Sequence, residues 1–275
     1  MPVREVRIAT LGELIDVVTP AEADPATGRR RDSGVYRGSA DVQWSLLTSL
    51  DRLGGVEPPH TKVELEAYIL RNFIRYSRPY FGTPPENEWE LLIAAQHHGL
   101  PTRLLDWTYS PLVAAHFATL ERRAPECDRV VWRLDWKAVH RRFGFPELAL
   151  LIQDLGRLAA RFGDRVGRRQ NEAFTPWTLF GARGQGAPFA CMLEPPSLDA
   201  RIVAQAAAFT VCSETSQPFD AFLEAHGLAD ALMRLVIPAA EVGRVRDQLD
   251  LASVDERRLF PDLDGVAAQM RRYYS

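Results

Sequence analysis

The sequence predicts an α+β fold, a mixed or antiparallel central sheet with flanking helices, and three observations lead there. Short runs alternate with the period of a strand: Val130, Trp132, Leu134 and Trp136 interleave with Val131, Arg133 and Asp135. Other segments carry apolar stripes at helical spacing behind capping residues, as Leu65, Ile69 and Phe73 follow Thr61 and Glu64. Strand and helix signals are interspersed without a strict βαβ rhythm, a repeat, or a Rossmann or P-loop glycine fingerprint, which leaves an α+β domain.

Taken in order, Thr10 and Glu13 open a first helix through Val18, and residues 20–32 read as a polar loop. Residues 1–33 are thus an N-terminal helix and loop, and the main domain runs over 34–275. Val35, Tyr36 and Arg37 form a strand, and Gly38 lets the backbone turn or a ligand approach closely. A helix begins at Thr61. Asn87 and Glu90 start another, with Trp89, Leu92, Ile93 and Gln96 on one face and Gly99 and Pro101 ending it. Residues 103–108 alternate as a strand, and Ser110-Pro111 caps a helix carrying Val113, Phe117 and Leu120. Further strands are expected at 130–136, 189–193, 208–212 and 232–237. Helices are expected at 147–161, 219–226, 239–249 and 264–272. Within 157–186, six arginines face two acids among five glycines, which reads as a basic, flexible insertion.

Composition narrows the function classes. A net charge of −3 over 275 residues gives no global basic field for non-specific nucleic-acid binding. Three widely spaced cysteines without a CxxC pair point to a reducing, cytoplasmic compartment and away from a thiolate zinc site. No run approaches the roughly 18 apolar residues of a membrane span.

The chemistry concentrates in Gln96-His97-His98-Gly99-Leu100-Pro101-Thr102-Arg103-Leu104-Leu105-Asp106-Trp107-Thr108, a segment otherwise apolar enough to be buried. Buried polar groups need partners, so this density calls for a hydrogen-bond network or a ligand. Arg37, at a strand end beside a glycine, suits a phosphate or carboxylate anchor, and equally a salt bridge to Asp106. Arg103 and Asp106 fall on opposite strand faces and so have different partners, as charged pins or as catalytic groups. His97 and His98 point about 100° apart on a helix, which argues against a shared metal. Ser39, Ser110 and Cys212 lack a nucleophile signature. A ligand pocket fits better than a hydrolase triad, and a metal-assisted hydrolase using Asp106 and a histidine lacks ligand spacing.

Tyr36-Arg37-Gly38-Ser39, the Gln96–Thr108 run, Arg201 to Thr210 and Leu259-Phe260-Pro261-Asp262-Leu263-Asp264-Gly265 together resemble the FRG domain, a bacterial and phage domain named for its Phe/Tyr-Arg-Gly motif. The order of Arg37, then Thr108 to Ala118, then Gln205 is similar to the three-part layout of ADP-ribosyltransferases, which implies that family's split sheet and NAD as substrate. The resemblance implies catalytic roles for Arg37, Asp106 and Gln205, and NAD contacts from Tyr36, Arg37, Gly38, Arg103, Thr108 and Ser110. Arg37 would clamp the phosphates, Thr108 or Ser110 would support the nicotinamide ribose, and Gln205 would bond that ribose. The chain departs from the pattern twice: glutamine stands where a glutamate is usual, and Ala207 where the family has glycine. Glutamine orients but cannot act as a base. The implied function is a toxin or phage-defence effector that transfers ADP-ribose to a nucleic acid or protein, or cleaves NAD, with an antitoxin as a further partner. The alternative is a non-catalytic nucleic-acid or protein-binding module whose arginine-rich insertion grips a polyanion.

Overall fold

The computed structural model describes residues 3–57, 59–120, 126–152, 154, 188–197, 199–215 and 217–274. Seven strands form one sheet: β1 (Arg4–Arg7), β2 (Val35–Ser39), β3 (Leu104–Thr108), β4 (Arg129–Leu134), β5 (Ala190–Leu193), β6 (Ala207–Cys212) and β7 (Leu232–Ile237), in the order β1-β7-β4-β2-β3-β6-β5. It is mixed, with β1 parallel to β7 and the other pairs antiparallel.

Strand alternation divides two cores. Val35, Val130, Trp132, Leu105 and Trp107 join one face with α3 (Lys62–Ser77), α4 (Glu88–His97), α6 (Trp136–Phe143) and α8 (Phe219–Ala225). Tyr36, Val131, Leu235 and Ile237 join the other with α1 (Leu11–Val18), α5 (Pro111–Thr119) and α9 (Val242–Leu251). Shorter helices α2 (Ser49–Arg52), α7 (Ala200–Ala204) and α10 (Glu256–Leu259) precede the final α11 (Leu263–Tyr273).

The capping signals act as the residue types require. Thr10, Thr61, Asn87 and Ser110 each accept from the backbone N–H three residues on, removing an orphan donor from the helix start. Three expectations need correction. The strand at 130–136 stops at Leu134, because the Asp135 side chain accepts from Ala138 N and makes Trp136 the first residue of α6. The helix expected from 147 does not begin there: Leu150 donates to the Met192 carbonyl and accepts from Glu194 N, so the chain extends the sheet edge beside β5. On α3 the buried positions are Glu66 and Leu70, while Leu65, Ile69 and Phe73 are half-buried. The insertion expected at 157–186 lies outside the described residues.

Candidate functional site

β2 and β3 share the single register pair Tyr36↔Thr108, whereas β2 runs along β4, and β3 along β6, for their whole lengths. The sheet therefore opens between its two halves just past that pair. Arg37 spans the opening: its Nη1 donates to the Asp106 main-chain oxygen at 2.7 Å, replacing a ladder bond the diverging strands cannot make, and lies 3.5 Å from the Asp106 carboxylate. Among the described residues, Nε and Nη2 take no protein partner, and 80% of this side chain is covered, its exposure being 20%. Burial lowers its pKa; Asp106 opposes that shift, and repulsion from Arg52 adds to it.

At this opening lies a cleft of about 1330 Å³, bordered by Arg37, Gly38, Asp106, Thr108 and Gln205, with Arg52 and Arg201 adding positive charge. Gln96 orders its floor. The Thr102 hydroxyl donates to Gln96 Oε1 at 2.7 Å, which fixes the amide so that Nε2 donates to both Asp106 carboxylate oxygens at 2.9 Å. Asp106 thus holds Arg37 while being held by Gln96.

Gln205 is fixed at both ends. The Thr108 hydroxyl donates to its carbonyl at 2.7 Å, and its own Nε2 donates to the Leu259 carbonyl at 3.0 Å. The next residue, Ala206, has φ +45°, in the left-handed region that disfavours a side chain. Ala207, by contrast, is an ordinary strand residue at the start of β6. Phe260 sits 4.7 Å beneath the Arg201 guanidinium, so the Leu259-Phe260 segment braces both cleft residues of the Arg201-to-Gln205 stretch. On the rim, His97 Nε2 lies 2.5 Å from Asp199, the residue that caps α7; burial lowers the His97 pKa against the pull of that carboxylate.

Two residues named from sequence do not face this space. Arg103 is buried on another layer, its Nε donating to Glu66 at 2.6 Å. Ser110 caps α5 rather than lining the cleft, and its N–H donates to the Thr108 hydroxyl. Tyr36 borders the cleft, but it is 1% exposed and its hydroxyl donates to Asp32, so its ring belongs to the core. Gly38 serves packing as well: a Cβ there would stand 2.0 Å from the Ala114 carbonyl oxygen, so it is α5 that approaches β2 closely. Sequence reasoning gave no role to Gln96, although it stands in the polar run, nor to Arg52, which no motif marks.

Among the described residues no group of three or more His, Cys, Asp or Glu could hold a metal ion, and no helix is long and apolar enough to cross a membrane. Fold and cleft define a mixed α+β protein with an arginine-bordered cleft at an opened sheet. Residues 32–127, which hold β2, β3 and α5 with Arg37 and Asp106, match the FRG domain. Neither a curated protein nor a solved structure matches the chain.

Proposed function

We propose that the cleft binds NAD and that the protein is an ADP-ribosyltransferase-like effector, either a toxin or a phage-defence protein of the cytoplasm. The observation that carries this reading is the convergence of Arg37, Asp106, Thr108 and Gln205, from segments up to 168 positions apart, on one cleft of dinucleotide size. Arg37 keeps Nε and Nη2 for a phosphate while Asp106 and Gln96 hold it in place. Thr108 acts as a positioning residue, tying Gln205 to β3. Gln205 Oε1 remains to accept from a ribose hydroxyl.

Cleavage of the bond from nicotinamide to ribose develops positive charge on the sugar, which a rigid cleft favours by holding the ribose distorted and shielding it from water. The bond's electron pair leaves with nicotinamide, and the sugar carbon is taken by water or by an acceptor in a nucleic acid or protein. The amide at Gln205 lends no base, so the acceptor must already be nucleophilic. That same amide, held on Leu259, favours the second reading, a module that binds a nucleic acid or protein without turnover. An antitoxin partner belongs to the first reading.

Incubation with NAD labelled in its adenylate half separates these outcomes. Nicotinamide release with label on a macromolecule supports transfer, release alone supports NAD cleavage, and binding without release supports the second reading. Neither binding nor release would reject NAD as the ligand.

A further inference from the structure

Arg201, in α7, and Gln205, its C-cap, stand one helical turn apart, so their side chains fall on one face of that turn, and both border the cleft. The Arg201 guanidinium lies over Phe260, 4.7 Å from the ring centroid, and among the described residues it makes no hydrogen bond or ion pair. The acid nearest to it in sequence is occupied: Asp199 Oδ1 accepts the Ile202 N–H at 2.9 Å, and Oδ2 lies 2.5 Å from His97. Arg201 is therefore a half-buried cation, steadied by an aromatic ring and neutralised by no carboxylate. Arg52 is the arginine whose charge acts on Arg37, whereas the charge of Arg201 acts on His97. Arg37 and Arg52 thus form one cationic end of the cleft, and Arg201 forms another beside Gln205.

We propose that Arg201 is a second phosphate site of the cleft and holds a backbone phosphate of a single-stranded nucleic acid. Its role rests on the NAD reading, in which that strand is the acceptor. NAD brings only its pyrophosphate as an anion, and Arg37 takes that at the other end, so the cation beside Gln205 is left for an anion that NAD does not supply. Gln205 lends no base, so the attacking group must carry a free lone pair at neutral pH, as ring nitrogens of nucleobases do and as lysines and hydroxyls do not. A carboxylate of a protein acceptor also needs no base, but beside Arg201 it would be ion-paired, with its attacking lone pairs tied up. A guanidinium fork on a phosphodiester leaves the reacting base untouched. The strand is single because a base must leave its stack to reach the sugar. The base nitrogen gives its lone pair to the ribose carbon, nicotinamide leaves with the pair of the broken bond, and a proton passes from the modified base to water.

Anisotropy titrations with labelled oligonucleotides of about ten nucleotides, one RNA and one DNA, test this beside calorimetric titrations with NAD. The proteins are the wild type, Arg201→Ala, Arg201→Lys and Arg37→Ala, with melting curves as a control on folding. The wild type should bind at least one oligonucleotide. Arg201→Ala should weaken that binding at least about tenfold and make the slope of log K against log salt shallower by roughly 0.7, the counterion release of one phosphate, which a merely structural role would not move. Arg201→Lys keeps the charge and loses the fork, so it should keep the slope and lose affinity; it decides the matter if Arg201→Ala melts early. NAD should weaken by less than about threefold in Arg201→Ala, the reverse of the pattern in Arg37→Ala. No oligonucleotide binding by the wild type, unchanged affinity or salt slope in folded Arg201→Ala, or a loss of NAD affinity of about tenfold in that variant would overturn the proposal. An oligonucleotide held through Arg201 by a protein that does not bind NAD would reject the NAD reading and leave the phosphate site standing.

Discussion

Glu66 holds Arg103 at two points: its Oε2 lies 2.6 Å from Arg103 Nε, and its Oε1 accepts the Arg103 main-chain N–H at 2.7 Å. Both residues are buried, so the pair pins the middle of α3 to the chain entering β3. Removing one partner of such a pair leaves an uncompensated charge in the interior. Glu66→Ala should therefore cost about 3–5 kcal/mol in urea unfolding, and Glu66→Gln less, since an amide oxygen still accepts the main-chain N–H. A loss below about 1 kcal/mol for Glu66→Ala would show that the pair is not a structural pin.

Ala206 takes a left-handed φ of +45° directly after Gln205, and its carbonyl accepts the Tyr109 N–H at 3.0 Å. Glycine adopts this conformation without the clash of a Cβ, so Ala206→Gly should stabilise the fold by about 1 kcal/mol, which raises Tm by roughly 2–4 °C in a chain of this size. A fall in Tm would mean that the Ala206 methyl group contributes more by packing than it costs in backbone strain.

His116 is fully buried, and its Nδ1 lies 3.0 Å from Arg246 Nη1. Burial, reinforced by the Arg246 charge, pushes its pKa down to about 4 from an ordinary 6.5. The unfolded chain therefore takes up the proton first on acidification, and stability falls as pH drops from 6.5 towards about 4. Glu256 adds a loss at lower pH: although burial opposes it, the Arg272 hydrogen bond keeps its pKa below the usual range. His116→Gln should flatten the dependence of Tm on pH between 6.5 and about 4. The flattening is partial, because burial also lowers the pKa of His140, whose Nε2 lies 2.8 Å from the Met192 N–H. An unchanged slope would assign the acid sensitivity to other groups.

Most of the fold was legible because local signals agree with it. Thr61 and Glu64 form a reciprocal capping box, and β7 covers the 232–237 run expected from its apolar pattern. β1 was not read, since Arg4-Glu5-Val6-Arg7 is a charged edge strand whose register comes from β7 rather than from its own pattern. α6 was hidden because Trp136 continues the alternation of β4, and only the cap made by Asp135 breaks it. The order of the motifs foreshadowed a cleft shared by Arg37, Asp106, Thr108 and Gln205. The Glu66–Arg103 pair was not legible: an acid on an amphipathic helix looks solvated until a partner 37 positions away is placed against it.

On the proposed function, Arg37, held by Asp106, turns Nε and Nη2 towards the phosphates of NAD. Calorimetric titration of NAD into the wild-type protein, Arg37→Lys and Arg37→Ala tests it most directly, with melting curves as a control on folding. Arg37 is partly exposed, so either variant should melt within a few degrees of wild type. Saturable binding to the wild type and at least about a tenfold loss in both variants are expected, because a point charge does not replace a bidentate fork. Equal NAD affinity in all three proteins, each folded, would contradict it.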